Sequence, residues 1–230
     1  QMCIRDSSWG AYGIHPYVLL NYQGTLDHVF TLAHEMGHAL HSYYSDSNQS
    51  YINAGYKIFV AEVASTCNES LLIHYLLKNT DNKAEKAYLI NHFLEQFKGT
   101  LYRQTMFAEF EKITHKMVEE GETLTSDILC KVYYDLNKQY FGEDMVLDEE
   151  IALEWARIPH FYNPFYVYQY ATGISAAIAL SKKIMEQGEA GVKDYMKFLT
   201  GGGSKDPIDL LKLAGVDMTT KEPIEKALEL

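Results

Sequence analysis

Leu26-Asp27-His28-Val29-Phe30-Thr31-Leu32-Ala33-His34-Glu35-Met36-Gly37-His38-Ala39-Leu40-His41 places Leu26, Val29, Phe30, Ala33, Gly37 and Leu40 at spacings of three and four. That period describes a helix with one buried face. It predicts a helix from Leu26, just after Gly24-Thr25, to about Tyr44. Within it, His34-Glu35-Met36-Gly37-His38 has the pattern H-E-x-x-H. Residues four apart on a helix face the same way, with Cβ atoms about 5–6 Å apart. Two imidazoles so placed can each bring a nitrogen to about 2.0–2.1 Å from one zinc ion. Glu35 is then free of ligand duty and suits a general base acting on water.

Outward from this helix, the apolar run Ile14 to Tyr22 reads as a short strand. The polar run Ser45 to Ser50 reads as a loop. A helix over about Tyr56–Leu77 is apolar on most sides (Ile58, Phe59, Val60, Val63, Leu71, Leu72), which predicts burial in the middle of the fold. Amphipathic helices are expected over 82–98 and 100–119, with Gly99 as a break. Another runs from Thr125-Ser126-Asp127 to about Tyr140, closed by Gly142. A short acidic helix covers Asp148 to Ala156, and Pro159 and Pro164 bracket a non-helical stretch. A helix follows from about Tyr166 to Gln187. Gly201-Gly202-Gly203-Ser204 reads as a hinge, and Asp206-Pro207 caps a helix that Gly215 ends. The fold class is mainly α, with at most a small sheet near the N-terminus.

Composition narrows the function. Among 230 residues, 20 Lys+Arg stand against 31 Asp+Glu, a net charge of −11. A nucleic-acid surface needs clustered basic residues, so none is expected. No apolar run approaches the roughly 20 residues that cross a bilayer, so no membrane partner is expected. Cys3, Cys67 and Cys130 form no CxxC pair, and a reducing, cytoplasmic compartment fits. Gln1 to Ser7 lack periodicity and are read as a non-native leader. Residues 8–230 are read as a single catalytic-domain fragment.

A zinc site needs a third protein ligand. The extended pattern H-E-x-x-H-x-x-G-x-x-H fails, because His41 and Tyr44 stand where Gly and His are required. Glu62, within the buried helix, is the alternative: a carboxylate among apolar neighbours needs a metal or a cation. The competing reading of Glu62 is an ion pair with Lys or Arg. Glu69 shares the face of Glu62 and could accept a hydrogen bond from a ligating histidine, or could simply face solvent. Cys67 lies off that face and reads as core. His41 reads as packing or substrate contact. His160 to Tyr170 holds six Phe or Tyr in eleven residues. Aromatic clusters usually fill cores, but a peptidase also needs donors for an oxyanion. Tyr166 and Tyr170 share a helix face while Tyr168 points elsewhere, and spacing does not choose among the tyrosines.

Three blocks, Leu32 to Ser45, Phe59 to Glu69 and Ile158 to Gly173, together resemble oligoendopeptidase F, of the thimet-oligopeptidase-like zinc metallopeptidase family. The resemblance runs from about Trp9 to Leu230. It implies a multi-helical zincin-type catalytic domain and one Zn2+ held by His34, His38 and Glu62. It implies Glu35 as catalytic base, with His160, Tyr162, Tyr168 and Tyr170 assisting substrate and oxyanion. The expected partners are short unfolded peptides, entering a channel that an N-terminal region, absent from this chain, would complete. The strand near His15 to Tyr22 would border that channel. Two other readings compete: a helical zinc carboxypeptidase, with Arg157 or Arg103 gripping the substrate C-terminus, and a zinc-binding fragment without activity.

Overall fold

Helix α1 (Leu26–Asn48) begins where the sequence places it. Thr25 is extended, and its hydroxyl accepts the His28 amide, the usual service of an N-cap threonine. The computed structural model describes residues 6–229. Of the expected leader, Gln1 to Arg5 lie outside the described residues. Ser7 opens strand β1 (Ser7–Trp9), which pairs antiparallel with β2 (Tyr17–Leu19) in the register Ser7↔Leu19, Ser8↔Val18, Trp9↔Tyr17. The strand expected over Ile14–Tyr22 is thus cut to three residues; Pro16, which has no amide hydrogen, precedes it.

The expected loop from Ser45 to Ser50 is corrected: α1 continues through Asn48. Its polar residues find partners on their own helix or its neighbour. Ser47 Oγ and Asn48 Nδ2 donate to the Tyr43 and Tyr44 carbonyls, and Ser45 Oγ donates to the Ala54 carbonyl. One further turn, α2 (Tyr51–Ala54), leads to α3 (Ile58–Asn79). The break expected at Gly99 is also corrected. Helix α4 (Lys83–Phe97) passes through a π-helical turn, Lys98–Tyr102, into α5 (Arg103–Glu119). Helix α6 (Ser126–Phe141) opens and ends as expected, with Thr125 as its N-cap and Gly142 as its C-cap. The acidic segment Glu149–Arg157 is 3-10 rather than α, and the stretch expected to be non-helical holds a 3-10 turn, Pro159–Tyr162. Then come α7 (Tyr168–Gln187), α8 (Glu189–Leu199), α9 (Pro207–Leu213) and α10 (Glu222–Leu228). At α9, the Asp206 side chain makes no capping bond.

The chain divides into two compact units, one of residues 1–94 and 172–230, the other of Glu95–Ala171. In the first, α1 packs on α3 and the hairpin packs on α1. Its core joins Val60, Val63, Ala64 and Cys67 of α3 to Ala176, Ala177 and Leu180 of α7, Phe198 and Leu199 of α8, and Leu210 and Leu211 of α9. This explains why α3 is apolar on most sides. The second unit has its own core, with Met106, Phe107 and Phe110 of α5 against Tyr133 and Leu136 of α6, Ile158 and Val167. Among the described residues, no helix is long and apolar enough to cross a membrane.

Candidate metal centre

His34 and His38 stand one turn apart on α1, and Glu62 faces them from the first turns of α3. The helices can meet this closely because Gly37 lies at their contact. A Cβ there would fall against Ser65 Cα and stand 2.8 Å from the Ala64 carbonyl oxygen and the Ser65 amide nitrogen. Asn68 ties the pair further, donating to the Ala33 carbonyl at 3.3 Å. The spacing rule put both histidines on one face; this helix contact supplies the third group.

The three donor atoms converge. His34 Nε2 is 3.2 Å from His38 Nε2 and 3.1 Å from Glu62 Oε2, and His38 Nε2 is 3.6 Å from Glu62 Oε2. Ligands about 2.1 Å from one ion at tetrahedral angles stand about 3.4 Å apart. The observed triangle therefore matches the edges of a tetrahedral site, and two imidazole nitrogens with one carboxylate oxygen form a donor set that could hold a metal ion. The Lys or Arg partner considered for Glu62 is not found among the described residues. Its contacts are His34, His38 and Ser65, whose hydroxyl donates to Glu62 Oε2 at 3.4 Å.

Glu69 does not face solvent. It is buried, and its Oε1 accepts from His34 Nδ1. That bond turns the ring so that Nε2 points at the convergence point, where it would offer a lone pair once an ion displaces its proton. The electrostatics follow. Burial alone would lower the His34 pKa, but hydrogen bonds and charge from Glu62 and Glu69 override it and raise it to about 10. Burial would raise Glu62, and the His34 hydrogen bond with the two histidine charges brings it below its usual value. The pocket thus favours a positive charge at its centre. Burial lowers His38, with Glu62 opposing. Glu35 is 8% exposed, and burial raises its carboxyl pKa. Ser65 and Asn68 were not singled out from the sequence. Ser65, one turn from Glu62, carried the signal of a hydroxyl on a ligand-bearing face.

Cys67 is fully buried in the core, and burial pushes its thiol up to about 12. His41 is also fully buried, its ring stacked on Tyr56 at 3.8 Å and inclined to Phe198 at 4.9 Å. It is therefore packing. The remaining candidates belong to the other unit. There Tyr170 Oη lies 3.4 Å from His160 Nε2, and Tyr166 stacks on His160 at 5.8 Å and meets Tyr170 edge-on at 5.5 Å. The structure thus brings His160, Tyr166 and Tyr170 together. Tyr162 is 88% exposed, and Tyr168 is half-exposed at the start of α7. Arg103 and Arg157, considered as grips for a substrate C-terminus, both pair with Glu154.

Helix-borne His-x-x-x-His with a carboxylate from the next long helix is a metallopeptidase arrangement, and comparison with known proteins agrees. Residues 6–230 match the profile of Peptidase family M3. The chain belongs to Peptidase family M3. It is 56% identical over 223 residues to Oligopeptidase PepF of Bacillus subtilis, covering 97% of this chain and 33% of that protein. It is 45% identical to the chromosomal Oligoendopeptidase F of Lactococcus lactis subsp. cremoris, covering 97% of this chain and 37% of that one. The crystal structure of oligoendopeptidase-F from Enterococcus faecium superposes with a TM-score of 0.79 at 47% identity, over 89% of this chain and 37% of that chain. A solved Chlamydophila abortus structure reaches 0.90 at 47% identity, over 97% of this chain and 38% of that chain. The mainly helical fold with a small two-stranded sheet is the fold of these neighbours. The chain spans about a third of the length of the relatives it matches.

Proposed function

We propose that this chain carries the catalytic centre of a zinc-dependent oligopeptidase that cleaves short peptides internally. The observation that supports it most is the triangle of His34 Nε2, His38 Nε2 and Glu62 Oε2, with edges of 3.1–3.6 Å, beside the buried Glu35. The nitrogen-rich set with one carboxylate suits zinc better than magnesium or calcium, which prefer all-oxygen shells. When bound, such an ion supplies Lewis acidity, polarising the scissile carbonyl and acidifying water.

The chain's residues do the rest. Glu69 holds His34 in the tautomer whose Nε2 is free to bind. Glu35 takes the proton of the attacking water and hands it to the departing amine, so no net proton is gained or lost. Burial raises its carboxyl pKa, which strengthens it as the base for the first of these transfers. In this reading Tyr170, Tyr168, Tyr162 and His160 supply donors to the developing oxyanion. The hydrogen-bond distance between Tyr170 and His160 favours that pair. Strand β2 offers an edge to which an extended peptide could add as a further strand. The pairing of Arg103 and Arg157 with Glu154, which already offsets their charge, favours internal cleavage over a carboxypeptidase. The further length that relatives carry would complete the channel, and the free thiols of Cys67 and Cys130 suit a cytoplasmic setting.

The test uses the zinc-loaded chain and a fluorogenic peptide blocked at both ends. Cleavage is expected, with Glu35→Gln reducing it at least about a thousandfold while bound zinc, measured by atomic absorption, stays at one ion. Undiminished cleavage in Glu35→Gln overturns the base assignment. An uncut blocked peptide overturns internal cleavage.

A further inference from the structure

A cleft of about 730 Å3 opens beside the metal cluster, and His38 belongs to both. Its wall on α1 is a single stripe, His38, Ser42 and Asp46, at successive spacings of four. Opposite stand hairpin and α2 residues, among them Trp9, Tyr12, Tyr51 and Ile52. Tyr56 completes it. Its hydroxyl is 3.0 Å from Ser42 Oγ, and its ring rests on the buried His41. Tyr12 meets Tyr51 edge-on at 5.5 Å and donates from Oη to the Gln49 carbonyl at 2.9 Å. Tyr12 and Tyr56 are thus held by hydrogen bonds, while Trp9 and Tyr51 stand 82% and 76% exposed.

Asp46 is the only carboxylate among the lining residues, and no Lys or Arg accompanies it. Among the described residues, no hydrogen bond or ion pair neutralises it. Burial raises its carboxyl pKa, with no partner lowering it.

We propose that this cleft is a subsite for a cationic side chain, lysine or arginine, of a peptide bound at the metal centre, with Asp46 as counter-charge and the aromatic rings as walls. The assignment rests on the peptidase reading and names the substrates it favours. An apolar side chain would cover Asp46 without compensating its charge, which is unfavourable. An acidic one would be repelled. A lysine or arginine lays its apolar stem against the rings, gains cation–π attraction, and brings its charge to the carboxylate. Asp46 lies eight residues beyond His38, about 12 Å along the helix axis. An extended peptide advances about 3.3 Å per residue. Allowing for the length of the cationic side chain, the favoured residue lies two or three positions from the scissile bond.

Blocked, labelled decapeptides with one lysine walked through an otherwise glutamine-rich sequence test this. Binding is read by fluorescence anisotropy on the zinc-loaded Glu35→Gln chain, and cleavage on the unsubstituted chain. Lysine at one position of the scan is expected to tighten binding about tenfold over glutamine there. Asp46→Asn should bring that ratio to about one, and Asp46→Lys should shift preference to glutamate. Equal binding of the lysine and glutamine peptides, including no binding of either, overturns the subsite, as does a ratio unchanged in Asp46→Asn. If the lysine preference holds but no peptide is cut, the subsite stands and the hydrolytic reading falls. If peptides are cut without lysine preference, the subsite alone falls.

Discussion

Gly37→Ala sets two effects of opposite sign against each other. In an exposed helix, alanine is preferred to glycine by about 1 kcal/mol, so propensity alone predicts a stabilised protein. At this position the new Cβ would stand 2.8 Å from the Ala64 carbonyl oxygen and the Ser65 amide nitrogen and closer still to Ser65 Cα, where ordinary contact begins at 3.4 Å. These are backbone atoms of α3 and cannot rotate away. The helices must separate locally by about 0.6 Å or more. Overpacking of this kind costs about 1–3 kcal/mol, which outweighs the gain in propensity. The separation also opens the distance from His34 and His38 to Glu62, whereas metal–ligand distances tolerate only about ±0.2 Å. The expected result is a lower Tm for the metal-free chain and a zinc affinity reduced at least about tenfold. Calorimetry and titration against a competing chromophoric chelator measure the two. Met36→Ala, at a half-exposed neighbour, serves as the control for general helix effects. A Gly37→Ala protein with raised Tm and undiminished zinc affinity would refute the claim that close helix contact holds the site.

Glu69→Gln keeps the size of the side chain but removes the charged acceptor behind His34, and zinc affinity should fall about 10–100-fold in the same titration; unchanged affinity would mean that the contact does not orient the ring. His41, buried and with both ring nitrogens unpartnered, has its pKa lowered to about 3, chiefly by burial. Its unfolded form protonates near 6.5 and its folded form does not, so its contribution to stability falls as pH drops below about 6.5 and continues to fall toward 3, by about 1.4 kcal/mol per pH unit. His41→Phe retains a ring against Tyr56 and should flatten the loss of stability between pH 6.5 and 4.5 by roughly 2–3 kcal/mol in urea titrations; parallel pH profiles for the two proteins would contradict this.

How much of this was readable beforehand depended on whether a signal was local. The start of α1 was, because the Gly24-Thr25 punctuation and the first residues of the apolar period adjoin in sequence. Glu62 was, because a carboxylate amid Phe59, Val60 and Val63 is conspicuous before any contact is known. The end of α1 was not. Ser45, Ser47 and Asn48 look like loop residues, yet their side chains bond carbonyls within α1 or in α2. Gly99 was misread because a π turn absorbs it without leaving helical geometry. Gly37 reads only as one member of a buried face until α3 is placed against it. The choice among the tyrosines needed ring positions, which periodicity does not carry: Tyr162 and Tyr170 are equally aromatic, but only Tyr170 is shown at hydrogen-bond distance from His160.

Helix α3 supplies both Glu62 in front of His34 and Glu69 behind it, two turns apart on one rigid rod. Any roll or slide of that rod disturbs the front and back contacts together, and no rotamer change in one carboxylate can restore both. The centre therefore behaves as a gauge of helix register, well formed at one alignment of the two rods and degraded on either side of it.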